Sequence, residues 1–277
     1  MGAFSEGTPC WADVLLPDLR AGKRFYGELF DWTFEEQDGG SGLLGEQRAA
    51  PGSPAGPAPY TTAYRDGRRV AALAPKGDGR MPTTWNVYLA TPDAVAAARR
   101  VTEAGGLVIT DPVPLTGDVA VVAQAADPGG AVFSLWEAGR RHGFERQGEP
   151  GSFCWTEVYT RDKDRVDAFY ETVFGFQVHD LDDASVDFRV WSPAGTTAGD
   201  ENAVGGRSVI TDAFPAAMPA HFLVYFSVAD CDETAARAAE LGGRVNEPPF
   251  DTPYGRIALI ADDQGAVFAV LAEPKAA

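Results

Sequence analysis

From about Pro9, apolar and polar positions alternate with the period of two that a half-buried strand needs, and Asp18 then stands where a helix N-cap would. The clearest helical stripe follows Asp162. Val166, Phe169, Tyr170, Val173 and Phe174 fall there at the spacing of one helix face lying on a sheet. Tyr60–Tyr64 and Val70–Leu73 are short strand-like runs flanking Asp66-Gly67, a hairpin signal. Thr84–Leu89 and His221–Val228 read as further strands. Each precedes a helix (Ala94–Ala104, Asp232–Leu241) that Gly105-Gly106 or Gly242-Gly243 stops. Ala131–Trp136 and Ala266–Leu271 are closing strands. The pattern predicts a strand, a helix, then several strands, four times over.

That recurrence is written in the residues themselves. Gly7-Thr8-Pro9-Cys10-Trp11-Ala12-Asp13-Val14 matches Gly151-Ser152-Phe153-Cys154-Trp155-Thr156-Glu157-Val158, an offset of 144. The register carries on through Asp18 and Asp162, Phe25-Tyr26 and Phe169-Tyr170, Phe30 and Phe174, and Trp32 and Phe176. Trp85–Leu89 pairs with Phe222–Phe226 at an offset of 137, and Gly130–Phe133 with Gly265–Phe268 at 135. Such sustained register marks a tandem duplication. The halves are read as residues 7–137 and 151–274, joined by a polar linker over 138–150. Gly39–Pro59 and Pro193–Gly206, rich in Gly, Pro, Ala and Ser, read as mobile loops within the halves: flaps over a cavity or solvated connectors.

Composition narrows the function classes. With 45% apolar and 23% charged residues in 277, the chain has the make-up of a globular protein. Twenty-three Lys and Arg against 40 Asp and Glu leave a formal charge of −17, which repels nucleic acid and anionic membranes and attracts cations. No apolar run approaches the ~20 residues of a membrane span, and no secretory leader is expected from the first residues. Cys10, Cys154 and Cys231 are too scattered for a disulfide framework or zinc cluster, so a cytoplasmic location is expected.

The fourfold module, the Phe-Tyr pair in each odd helix, and Asp127-Pro128-Gly129-Gly130-Ala131 or Asp263-Gln264-Gly265-Ala266 before a closing strand resemble the vicinal oxygen chelate superfamily. Glyoxalases, extradiol dioxygenases and bleomycin-resistance proteins belong to it. The resemblance implies an α+β fold: four βαβββ modules forming two such domains, each a curved mixed sheet around a cavity. It also implies a divalent metal held by His, Gln or Glu on the first and last strands of the modules. The matching positions here are Trp11, Asn86 and Ser134 in the first half and Trp155, Leu223 and Ala269 in the second. These side chains cannot replace imidazoles and carboxylates, so neither a metal nor another cofactor is expected.

Side chains two apart on a strand share a face, which would place Asp13 beside Trp11, with Asn86, Tyr88, Ser134 and Trp136, in the first cavity. The second would collect Trp155, Glu157, Tyr159, His221 and Tyr225. An aromatic cup with one carboxylate suits a flat or cationic organic ligand. The same carboxylate, Asp13 or Glu157, could serve as a general base, and Glu157 with His221 could form an acid–base pair. Plainer readings make Asp13 and Glu157 structural acids, Trp11 and Trp155 core residues, and His221 a rim residue. The expected protein is a monomer or homodimer that binds a small-molecule natural product without metal, as in antibiotic sequestration. The alternatives are a metal-free enzyme and a metalloenzyme with Asp13, Glu157 and His221 as relocated ligands.

Overall fold

The computed structural model describes residues 4–37, 60–77, 82–181 and 186–274. The first half runs β1 (Pro9–Leu16), α1 (Leu19–Phe30), β2 (Thr33–Gln37), β3 (Tyr60–Arg65), β4 (Arg68–Pro75), β5 (Trp85–Ala90), α2 (Ala94–Glu103), β6 (Leu107–Pro114), β7 (Ala120–Ala126) and β8 (Val132–Ala138). The second repeats it as β9 (Ser152–Thr160), α3 (Lys163–Phe174), β10 (Gln177–Asp180), β11 (Phe188–Ser192), β12 (Gly205–Val209), β13 (His221–Ser227), α4 (Cys231–Glu240), β14 (Arg244–Thr252), β15 (Gly255–Ala261) and β16 (Val267–Ala272). Two eight-stranded mixed sheets result, ordered β2-β3-β4-β1-β5-β8-β7-β6 and β10-β11-β12-β9-β13-β16-β15-β14. The second order is the first with every number raised by eight. Within each module the first and last strands pair in parallel, which a tight turn cannot do; the helix and two intervening strands make the connection.

Local chemistry explains the ends of the elements. The Asp18 carboxylate accepts from the Arg20 and Ala21 backbone N–H groups at 2.8 and 3.0 Å, and Asp93, Asp162 and Asp230 cap the other helices likewise. Gly105 and Gly242 take positive φ (84° and 94°) just past α2 and α4, the left-handed turn that stops a helix. Asp66 and Gly67, both at positive φ, close the β3–β4 hairpin. No helix among the described residues is long and apolar enough to cross a membrane.

Packing groups the modules differently from sequence order. One compact unit comprises Met1–Trp11, Asn86–Gly143 and Thr156–Leu223; the other comprises Ala12–Trp85, Phe144–Trp155 and Val224–Ala277. The first joins the second and third modules. Phe133 of β8 lies within 6.2 Å, ring to ring, of Phe169, Tyr170 and Phe174 on α3 and of Phe222 on β13. The Tyr170 hydroxyl donates to Asp127 Oδ2 at 3.1 Å, while Asp127 Oδ1 accepts from Gly129 N and Ala131 N. The second unit repeats the device with the fourth and first modules. Tyr26 donates to Asp262 Oδ2 at 2.7 Å, and Asp262 Oδ1 accepts from Gln264 N and Ala266 N. There Phe30 packs on Phe226 and Phe268, and Trp85 Nε1 donates to the Tyr26 hydroxyl at 3.1 Å. Burial pushes both Asp127 and Asp262 above the usual carboxylate range and holds both tyrosines protonated.

Three sequence expectations need comment. Pro193–Gly206 is not one loop: Asp200–Asn202 forms a turn of 3-10 helix, and Gly205-Gly206 already open β12. The stretch expected as a polar linker begins inside β8 and is anchored. Phe144 is buried and stacks on Phe153 at 4.9 Å, and Glu145 exchanges backbone and side-chain hydrogen bonds with Arg69. The loop expected over Gly39–Pro59 lies outside the described residues.

Candidate functional site

The duplication carries the same residue types to the same strand positions in both halves, yet the two sets sit in different surroundings. On β1 every side chain from Pro9 to Val14 is buried, so the expected alternation is lost there. In the first unit Trp11, Asn86, Tyr88, Ser134 and Trp136 are each less than 9% exposed. The Trp136 ring packs against both other rings, 6.4 Å from Trp11 and 5.7 Å, edge-on, from Tyr88. Its indole N–H donates to the Arg141 carbonyl at 3.3 Å. Asp13, in the second unit, is 2% exposed and accepts a hydrogen bond from the Tyr60 hydroxyl at 3.2 Å. Tyr60 was invisible to the sequence argument because only its place across β4 brings it to Asp13.

On β9 the alternation is kept. Thr156, Val158 and Thr160 are buried, whereas Trp155, Glu157 and Tyr159 are half-buried. The first unit gathers Glu157, Tyr159 and His221. The Tyr159 and His221 rings stack at 5.2 Å with 9° between their planes, and Phe214 meets Tyr159 edge-on at 6.0 Å. His221 Nδ1 lies 2.9 Å from the Pro219 carbonyl, which can only accept, so Nδ1 carries a proton and donates it there. Gly206 is the cross-strand partner of Glu157 and Ser208 that of Tyr159. A Cβ at Gly206 would overlap the Phe188 ring, so the missing side chain makes room for that ring. Arg161 holds the segment carrying Phe214 and Pro219: its guanidinium donates to the carbonyls of Ile210, Pro215 and Ala216. Phe188, Phe214, Ser208 and Arg161 come from loops and partner strands that spacing alone does not bring near Glu157. Trp155 and Tyr225 belong to the second unit, where Tyr225 pairs with Ala269 across β13 and β16.

The donor set tests a metal directly. The first-strand and last-strand positions hold Trp11, Asn86, Ser134, Trp155, Leu223 and Ala269. The closing strands of the odd modules add Ala72 and Gly206, the partners of Asp13 and Glu157. These residues do not fit a divalent ion. Among the described residues no three His, Cys, Asp or Glu converge, so Asp13, Glu157 and His221 do not form one ligand group. Thiol chemistry is disfavoured too: burial pushes Cys154 up to about 12 and Cys231 to about 11, and Cys10 higher still. A cleft of about 460 Å³ in the second unit, beside α4, is lined by Asp230, Asp232, Asp251 and Arg256, but Arg256 is committed to Asp232 and Asp251.

Comparison with known proteins places this geometry in context. The profile of the Glyoxalase/Bleomycin resistance protein/Dioxygenase superfamily matches residues 11–135 and 152–270. The chain is 38% identical to the anthracycline biosynthesis protein DauV of Streptomyces sp. (strain C5), over 98% of this chain and 95% of that one. It is 36% identical to CFP32 of Mycobacterium bovis, whose name assigns it provisionally to the glyoxylases, over 97% and 95%. In fold it is similar to the Mn(II)-bound glyoxalase from Novosphingobium aromaticivorans, with a TM-score of 0.63 at 14% identity over 97% of this chain and 83% of that one.

Proposed function

The chain belongs to the Glyoxalase/Bleomycin resistance protein/Dioxygenase superfamily, and on that premise we propose that it binds an aromatic natural product without a metal ion, as a sequestering or carrier protein. One observation carries the reading. Where the resemblance calls for metal donors, this chain has aromatic, apolar or weakly polar side chains, and a single carboxylate accompanies them in each half. Such a surface offers stacking and a fixed negative charge, and no Lewis acid. The full-length similarity to a protein named for anthracycline biosynthesis supports a role with natural products. The test is metal analysis of the purified protein followed by native mass spectrometry with candidate aromatic compounds. The expected result is metal-free protein that holds the compound and releases it unchanged; a stoichiometric, tightly held divalent ion would overturn the reading.

A second reading, a metal-free enzyme, is favoured by one detail. Glu157 lies on the same strand face as Tyr159, against which the His221 ring is stacked, so a carboxylate and an imidazole share one face. Asp13 suits that role poorly, being buried against Tyr60. If a bound compound emerges altered and Glu157→Gln stops the change, the enzyme reading replaces the binding one.

A further inference from the structure

In the second compact unit, the turn that leads into β16 seats helix α1, and it carries one more buried acid than its counterpart in the first unit. We propose that this turn is a proton-gated seat. It holds the first module firmly on the fourth in mildly acidic solution and loosens toward neutral pH, more than the matching contact of the first unit does.

Three successive residues of the turn reach α1 or its cap. Asp262 Oδ2 accepts from the Tyr26 hydroxyl at 2.7 Å. Asp263 Oδ2 lies 3.6 Å from the Arg24 guanidinium. Gln264 makes two hydrogen bonds with the Asp18 backbone, accepting from its N–H at 2.8 Å and donating to its carbonyl at 2.9 Å. In the first unit the matching residues are Asp127, Pro128 and Gly129. Asp127 reaches α3 through Tyr170, but Pro128 carries no charge. A Cβ at Gly129 would come within 2.8 Å of Thr160 Oγ1, so a side chain like that of Gln264 has no room there.

The two acids of the second unit stand together away from water. Asp262 is 4% exposed and the Asp263 side chain 11%. Both Asp262 oxygens are hydrogen-bonded, whereas Asp263 Oδ1 is buried with no hydrogen-bond partner. Burial lifts the Asp262 carboxyl above its ordinary range, and the Asp263 charge adds to the rise. The Tyr26 hydroxyl and the Ala266 and Gln264 N–H groups pull the other way. A carboxyl raised on folding contributes its full stability below the ordinary carboxylate value and loses it as pH rises through the raised one. Asp127 shares the part that comes from burial. In the second unit the newly charged Asp262 also meets Asp263.

The other groups facing this pair do not cancel the repulsion. Arg24 on α1 is 62% exposed, so water screens its attraction for Asp263. The Trp85 indole on β5 is neutral and donates to the Tyr26 hydroxyl. From the end of α4, Gly242 lies nearest Asp263, and Arg237 is held by Glu28 and Glu240.

Hydrogen–deuterium exchange of the full chain at about pH 5 and pH 7.5 tests the seat. Protection factors divide out the intrinsic pH dependence of exchange, and α1 (Leu19–Phe30) is compared with α3 (Lys163–Phe174). Between the two conditions α1 is expected to lose protection by a factor about threefold greater than α3 does. Asp263→Asn removes the second charge and keeps the shape, so it should bring the α1 loss down to that of α3. Arg24→Gln removes the cation beside Asp263 at an exposed position and should enlarge the α1 loss. Equal losses in the two helices, a gain of α1 protection toward neutral pH, or an α1 loss that Asp263→Asn leaves unchanged overturns the proposal. Should Asp263→Asn fail to fold, Arg24→Gln decides alone, and an unaltered α1 loss in that variant overturns it.

Discussion

Removing one oxygen atom, in Tyr170→Phe, tests the idea that a tyrosine–aspartate pair joins the modules within each compact unit. Tyr170 is fully buried, and its hydroxyl donates to Asp127 Oδ2 at 3.1 Å. The variant keeps the ring packed between Phe174 and Trp191 and leaves Asp127 with its two turn N–H groups. A hydrogen bond to a charged group contributes about 1.5–3 kcal/mol, so that is the expected loss of stability near pH 7. The pH dependence follows from linkage. Burial raises the Asp127 carboxyl in the folded protein, so folding favours its protonated form. The contribution of this group to stability is therefore greatest below its ordinary carboxylate value and falls as pH rises through the raised folded-state value. The Tyr170 hydroxyl opposes that rise by stabilising the anion. Without it the carboxyl rises further, and the deficit of Tyr170→Phe grows between about pH 4 and pH 7. Tyr26→Phe should lose more, because Trp85 Nε1 is also left without its acceptor, a further ~1 kcal/mol or more. Urea unfolding followed by circular dichroism, at both pH values, reads all three quantities. A Tyr170→Phe loss under about 0.5 kcal/mol, a deficit indifferent to pH, or a smaller loss for Tyr26→Phe would refute the reasoning.

Arg207 is 1% exposed and donates to both Asp167 oxygens at 3.0 Å, so Arg207→Ala, which leaves that buried carboxylate with Arg189 at 3.2 Å as its remaining cation, should destabilise by about 2–3 kcal/mol in thermal or urea unfolding. Arg207→Met with Asp167→Leu should recover most of that loss, since replacing both partners leaves no buried charge. A nick confined to residues 139–142 should leave the two fragments associated on size exclusion at neutral pH, because each unit's core draws on both halves; separation of the fragments would contradict the unit composition.

The modules were legible because their signals are local. The stripe after Asp162, the Asp66-Gly67 turn and the glycines after α2 and α4 each act within a few residues, where periodicity and turn chemistry decide the conformation. The pairing of modules was not legible, although its components were. Phe25-Tyr26 and the Asp-Pro-Gly-Gly-Ala turn stood out as motifs, but nothing in their spacing says that Tyr170 reaches Asp127 rather than an acid of its own module. That choice depends on which helix face finds which sheet. The second-half site was half legible for the same reason. Glu157 and Tyr159 follow from alternation along one strand, whereas the Phe188 ring finds room only because Gly206, the cross-strand partner of Glu157, has no side chain.

Duplication lets one chain hold two versions of the same strand pattern, one buried along β1 and one half-buried along β9. Trp136 packs against Trp11 and Tyr88 within a unit whose other module presents Glu157, Tyr159 and His221. The small differences at matched positions then carry the meaning. Asp13 matches Glu157, whose carboxylate is one methylene longer and reaches further from the strand, while Ala72 across from the first acid matches Gly206 across from the second, where the Phe188 ring takes the space a Cβ would need.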